Sequence, residues 1–84
     1  MNPVSVDVTQ AAAASIDRYV DARALAFLIV DAGKGRRKLR FQFADAEDML
    51  EALLDAARDA DEDNATHDRN ALLETAAAVW EACR

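Results

Sequence analysis

The chain has 84 residues, carries 10 Lys plus Arg against 16 Asp plus Glu, and has a formal net charge of −6. It is read as a single domain, residues 1–84, with little room to wall off a water-excluded catalytic pocket. One cysteine and one histidine exclude an internal disulfide and a Cys/His zinc site.

Residues Val4, Val6 and Val8 alternate with Ser5 and Asp7, the period-2 pattern of a half-buried strand over residues 4–8. Thr9 can cap the next segment. Residues 10–22 read as a helix with Ala12, Ile16, Tyr19 and Val20 on one stripe. Residues 25–43 read as a β-hairpin. Its first strand, 25–30, is apolar on both faces, and Gly33 and Gly35 supply the reversal. Its return strand sets Leu39, Phe41 and Phe43 on one face and Lys38, Arg40 and Gln42 on the other.

Residues 45–60 form the next expected helix, capped by Asp45, with Ala46, Met49, Leu50, Leu53, Leu54 and Ala57 on its apolar stripe. A last helix, 66–83, starts from Asn64 or Thr66 and carries the stripe Leu72, Leu73, Ala76, Val79, Trp80 and Cys83. The fold class is therefore α+β: βαββαα, or αββαα without the first strand, with the antiparallel hairpin covered on one face by helices. If strand 4–8 pairs in parallel with strand 25–30, helix 10–22 is the crossover between them. The apolar second face of Ala26, Leu28 and Val30 then needs a cover, from this chain or another molecule.

Charge is segregated along the chain. Lys34, Arg36, Arg37, Lys38 and Arg40 form a basic hairpin with no acid among them. Residues 45–63 hold Asp45, Glu47, Asp48, Glu51, Asp55, Asp59, Asp61, Glu62 and Asp63 against one cation, Arg58. Of these, Asp48, Glu51, Asp55, Asp59 and Glu62 recur at steps of three or four and line one helix stripe about 21 Å long, with one charge per roughly 5 Å. A single DNA strand carries one per about 3.4 Å. An ordinary solvated face has the same composition, and so has the surface of a salt-adapted protein. The like charges at i,i+4 are mutually repulsive, however, and point to a cationic neighbour.

No Gly-rich phosphate loop, nucleophile elbow or acid–base pair is present, so no enzyme activity, cofactor or metal is expected. His67 reads as a solvated histidine, or else as a pH-sensitive contact, and Cys83 as a small buried hydrophobe. Trp80 reads as core, or as an interface anchor. The function expected is a non-catalytic protein-interaction module that presents an acidic helical surface to a basic partner protein. A sharper version is an inhibitor or nucleic-acid mimic of phage type. One alternative is a nucleic-acid-binding regulator using hairpin residues 34–40, against which the overall acidity counts. Another is a structural homodimer or subunit, a common way for a small domain to extend its core. The longest apolar run falls far short of the roughly 20 residues of a membrane span, so no membrane association is expected, and the lone thiol suits a reducing cytoplasm.

Overall fold

The computed structural model describes residues 3–21, 27–31 and 37–84, the strand 27–31 through its backbone. The order is β1 (Val4–Val8), α1 (Gln10–Tyr19), β2 (Phe27–Asp31), β3 (Arg37–Phe41), α2 (Ala46–Glu62) and α3 (Thr66–Ala82), the α+β sequence βαββαα. The expected glycine reversal, with Gly33, Lys34, Gly35 and Arg36, lies outside the described residues, as does Ala26; so do the side chains of Leu28 and Val30.

The three strands lie in the order β1-β3-β2. Val6 pairs with Leu39 and Leu39 with Ile29, both antiparallel. The conditional parallel pairing of the first strand with the second is not realised, because β1 pairs with β3 and not with β2. The return strand β3 takes the centre. Its alternation suits that place, with Leu39 and Phe41 almost fully buried on the inner face while Arg40 is exposed on the outer one. Lys38 also fits β1 electrostatically. It stands opposite Asp7 in the register, and its Nζ lies 3.1 Å from Asp7 Oδ1.

The helices cover the inner face of this sheet, and one apolar cluster joins Val6, Leu39 and Phe41 to Ile16, Met49, Leu53, Leu72 and Val79. Thr9 caps α1 as expected, with the Ala12 N–H donating to its Oγ1 at 3.0 Å. Asp45 occupies the N-cap position of α2, as expected, without capping it through its side chain. It ends a short 3₁₀ turn, Phe43–Asp45, at φ −94° and ψ 2°, and its side chain makes no capping hydrogen bond. An N-cap side chain reaches the first helical N–H groups from extended backbone, and Asp45 is not extended. Neither Asn64 nor Thr66 caps α3; that position belongs to Ala65.

Asn64 has a different task. It sits at φ 60°, and its N–H donates to Asp61 O at 3.0 Å while the Ala65 N–H donates to Ala60 O at 2.8 Å. These two bonds satisfy the last carbonyls of α2 and reverse the chain into α3, a Schellman turn with Asn in the left-handed position. Asn tolerates that conformation better than alanine does. Asn64→Ala is therefore expected to cost about 1 kcal/mol of stability, and Asn64→Gly to be neutral or stabilising by up to about 1 kcal/mol. Urea denaturation of both variants checks the sign.

Candidate functional site: the outer face of the α2–α3 hairpin

Burial divides α2 into two opposed sectors. Ala46, Met49, Leu53, Ala56, Ala57 and Ala60 are buried, and Asp48, Glu51, Asp55, Asp59 and Glu62 are all exposed. The expected acidic stripe thus lies on the solvent side, with a hollow of about 220 Å³ between Asp48, Glu51, Ala52 and Asp55. Within it, Asp55 has Arg58 at a loose 3.7 Å. Among the described residues, Asp48, Glu51, Asp59 and Glu62 make no ion pair.

Among the described residues, the cations on the helical side are already occupied. Arg18 pairs with Asp68, Arg69 with Asp61 at 2.7 Å, Arg84 with Glu81 at 3.0 Å and Arg58 with Asp55. Among the described residues of the basic hairpin none pairs with the stripe, and Lys38 pairs with Asp7 across the sheet. Arg40 is exposed and Arg37 half-buried on β3, while Lys34 and Arg36 lie outside the described residues.

Shifted pKa values gather elsewhere, where α1 meets the start of α3. The Arg18 guanidinium donates to Asp68 Oδ1 and the buried Ser15 hydroxyl donates to the same oxygen at 2.6 Å. These two hydrogen bonds, Arg18 first, hold the Asp68 carboxyl below the usual carboxylate range. Partial burial opposes them, and the charges of Arg18 and His67 act with them. The same contact raises the Arg18 pKa. Next to it, the Tyr19 hydroxyl donates to Asp63 Oδ2 at 3.2 Å, and burial followed by that bond pushes the phenol upward. This network fastens the three helices at the α2–α3 turn and leaves the acidic stripe untouched. His67 is exposed.

The apolar stripes expected for the helices need correction. Phe43, Leu54, Leu73 and Trp80 are 47%, 49%, 43% and 58% exposed rather than core. Phe43 leaves the strand for the 3₁₀ turn, so it does not continue the row of Leu39 and Phe41. On α3 the buried row is Leu72, Ala76 and Val79, and Leu73, Ala77 and Trp80 repeat the same i, i+4, i+7 spacing one residue on, outside it. Cys83 is half-buried between core and surface. These side chains line two openings of the α2–α3 groove. One of about 260 Å³ is bounded by Phe43, Leu50, Trp80 and Cys83, and one of about 360 Å³ by Leu54, Leu73, Arg58 and Arg69.

The site missed in the sequence is this groove. Its trace was the doubled spacing on α3, where two adjacent apolar rows exceed what one neighbouring helix can cover. Leu54 adjoins the acidic stripe, because Glu51 stands three residues before it and is its neighbour on the surface of α2. No helix among the described residues is long and apolar enough to cross a membrane. No protein-family model matches this chain, and no curated protein or solved structure proved similar to it.

Proposed function

We propose that the domain is a non-catalytic protein-interaction module whose helical hairpin, through the stripe Asp48, Glu51, Asp55, Asp59 and Glu62, engages a basic surface of a partner protein. One observation carries this reading. Among the described residues every cation on the helices is already paired, while four stripe carboxylates are exposed and without a counter-ion. Repulsion along α2 falls when a cationic surface supplies the missing charge, and the segregated potential steers such a partner to this side. An inhibitor that occupies a cationic groove in place of nucleic acid is the sharper form of the same function.

Charge reversal tests it. Asp55→Lys with Asp59→Lys is expected to reduce partner capture from the native cell extract at least about tenfold at low salt, since each lost exposed pair is worth about 0.2–1 kcal/mol and two become repulsive. Moderate salt should release the wild-type complex. Unchanged capture by the double variant removes the acidic face as the binding surface.

A further inference from the structure

Four large apolar side chains stand in solvent on one side of a small domain. Phe43, Leu50, Leu54, Leu73, Ala77 and Trp80 follow the α2–α3 groove from the open end of the hairpin towards its turn, and only Leu50 among them is half-buried. Scattered exposed hydrophobes need no explanation, but a contiguous row in a groove marks a contact surface.

Both walls of the groove are helices, whose backbone groups are spent within their own turns. An extended peptide laid there would find no backbone donors or acceptors, and its own amides would face an apolar floor unpaired. A helix brings its backbone already satisfied. It also fits by shape, because side-chain ridges of one helix settle between the ridges of two others. From Phe43 to Leu54 the row covers about 16 Å, or three turns of a seated helix.

Charge selects among helices. Glu47 lines the groove beside Phe43 and Leu50, and Glu51, one turn on, begins the acidic face that it shares with Asp48 and Asp55. The arginines at the groove, Arg58, Arg69 and Arg84, are held by Asp55, Asp61 and Glu81. A second copy of this chain would bring a net charge of −6 towards an equal charge. A helix with Lys or Arg flanking its apolar stripe gains attraction along the same line.

We propose that the α2–α3 groove seats an amphipathic basic helix of a partner protein, its apolar stripe packed on Phe43, Leu54, Leu73 and Trp80 and its cations along Glu47 and Glu51. This deepens the acidic-face reading and rests on it for the choice of a basic helix. The groove adds the apolar contact, which charge alone does not provide, and Trp80 is its largest and most exposed anchor.

Trp80 is the only tryptophan in the chain and therefore reports on the groove directly. The probe is a labelled, tryptophan-free 18-residue peptide of leucine and lysine with leucines at helical spacing, compared with a scrambled peptide of the same composition. The patterned peptide is expected to bind at least tenfold more tightly by anisotropy and to shift Trp80 emission to the blue. Leu54→Glu with Leu73→Glu adds two negative charges, so attraction by charge alone predicts tighter binding and the groove predicts binding at least tenfold weaker. Leu54→Gln with Leu73→Gln gives the same loss without a charge change, and circular dichroism confirms that both variants fold.

Equal binding of the two peptides, or tighter binding to the glutamate variant, overturns the groove and leaves the acidic face standing. Patterned-peptide binding that is lost in the glutamate and glutamine variants but indifferent to Asp55→Lys with Asp59→Lys upholds the groove as a helix site while removing the acidic-face reading. A concentration-dependent blue shift of Trp80 without peptide, with a dimer in sedimentation, assigns the groove to a second copy and overturns the proposal.

Discussion

Leu53→Ala is expected to lower the unfolding free energy by about 3 kcal/mol, within the roughly 2–5 kcal/mol span of buried Leu→Ala changes. Leu54→Ala, one residue on, is expected to cost less than about 1 kcal/mol. Leu53 has no exposed surface and belongs to the cluster that joins α2 to α1, α3 and the sheet; Leu54 is 49% exposed. Removing three carbons from the first leaves a cavity that its neighbours fill only in part, and removing them from the second exposes helix to water. In a domain of this size, 3 kcal/mol corresponds to a fall in melting temperature of about 12–24 °C. Chemical denaturation of the two variants side by side is the measurement. Equal losses would place Leu54 inside and dissolve the groove described above.

Asp68→Asn is expected to destabilise the domain at neutral pH and to lose that effect in acid. The Asp68 carboxyl titrates below 3.8 in the folded chain because Arg18 and Ser15 donate to its charged form. The unfolded chain thus binds its proton more readily than the folded one, and the contribution to stability rises with pH. It is complete above about pH 5 and disappears as pH falls through the folded value, below 3.8. Wild-type and Asp68→Asn melting temperatures should differ clearly at pH 7 and converge as the pH falls through the lowered Asp68 value. The other carboxylates titrate in both proteins and cancel in the difference. A constant gap down to pH 2 would show that the side chain acts by packing rather than by charge. Ser15→Ala should remove part of the pH-7 effect, because it takes one of the two donors and leaves Arg18.

The element order and the segregation of charge were legible in the residues because both rest on local periodicity. The alternation of Val4, Val6 and Val8, the Thr9 cap and the row of acids on α2 depend on neighbours at most four positions away. Strand pairing was not legible, since the β1–β3 register joins residues from opposite ends of the sheet sequence. Nor was the inward sector of each helix. Adjacent leucines, 53 and 54 or 72 and 73, differ by about 100° around the axis, and either fits a broad apolar stripe. The structure resolves the choice through alanines: Ala56, Ala60 and Ala76 are buried at the contacts and let the helices approach closely. That approach centres the core on the alanine side and leaves Leu54, Leu73 and Trp80 outside. The Ser15–Asp68–Arg18 network bridges α1 and α3. Only a folded chain brings those residues together.

The strand order also constrains how the molecule comes into being. With β3 between β1 and β2, neither earlier strand has a partner until residues 37–41 have been made. A nascent chain that has reached only β2 holds strands with nothing to zip against, and joining Val6 to Leu39 closes a loop whose entropy costs ~3 kcal/mol before any pairing is gained. Translation thus delivers most of the sheet's apolar residues ahead of the segment that organises them. The strand order therefore makes residues 37–41 the segment on which both pairings of the sheet wait.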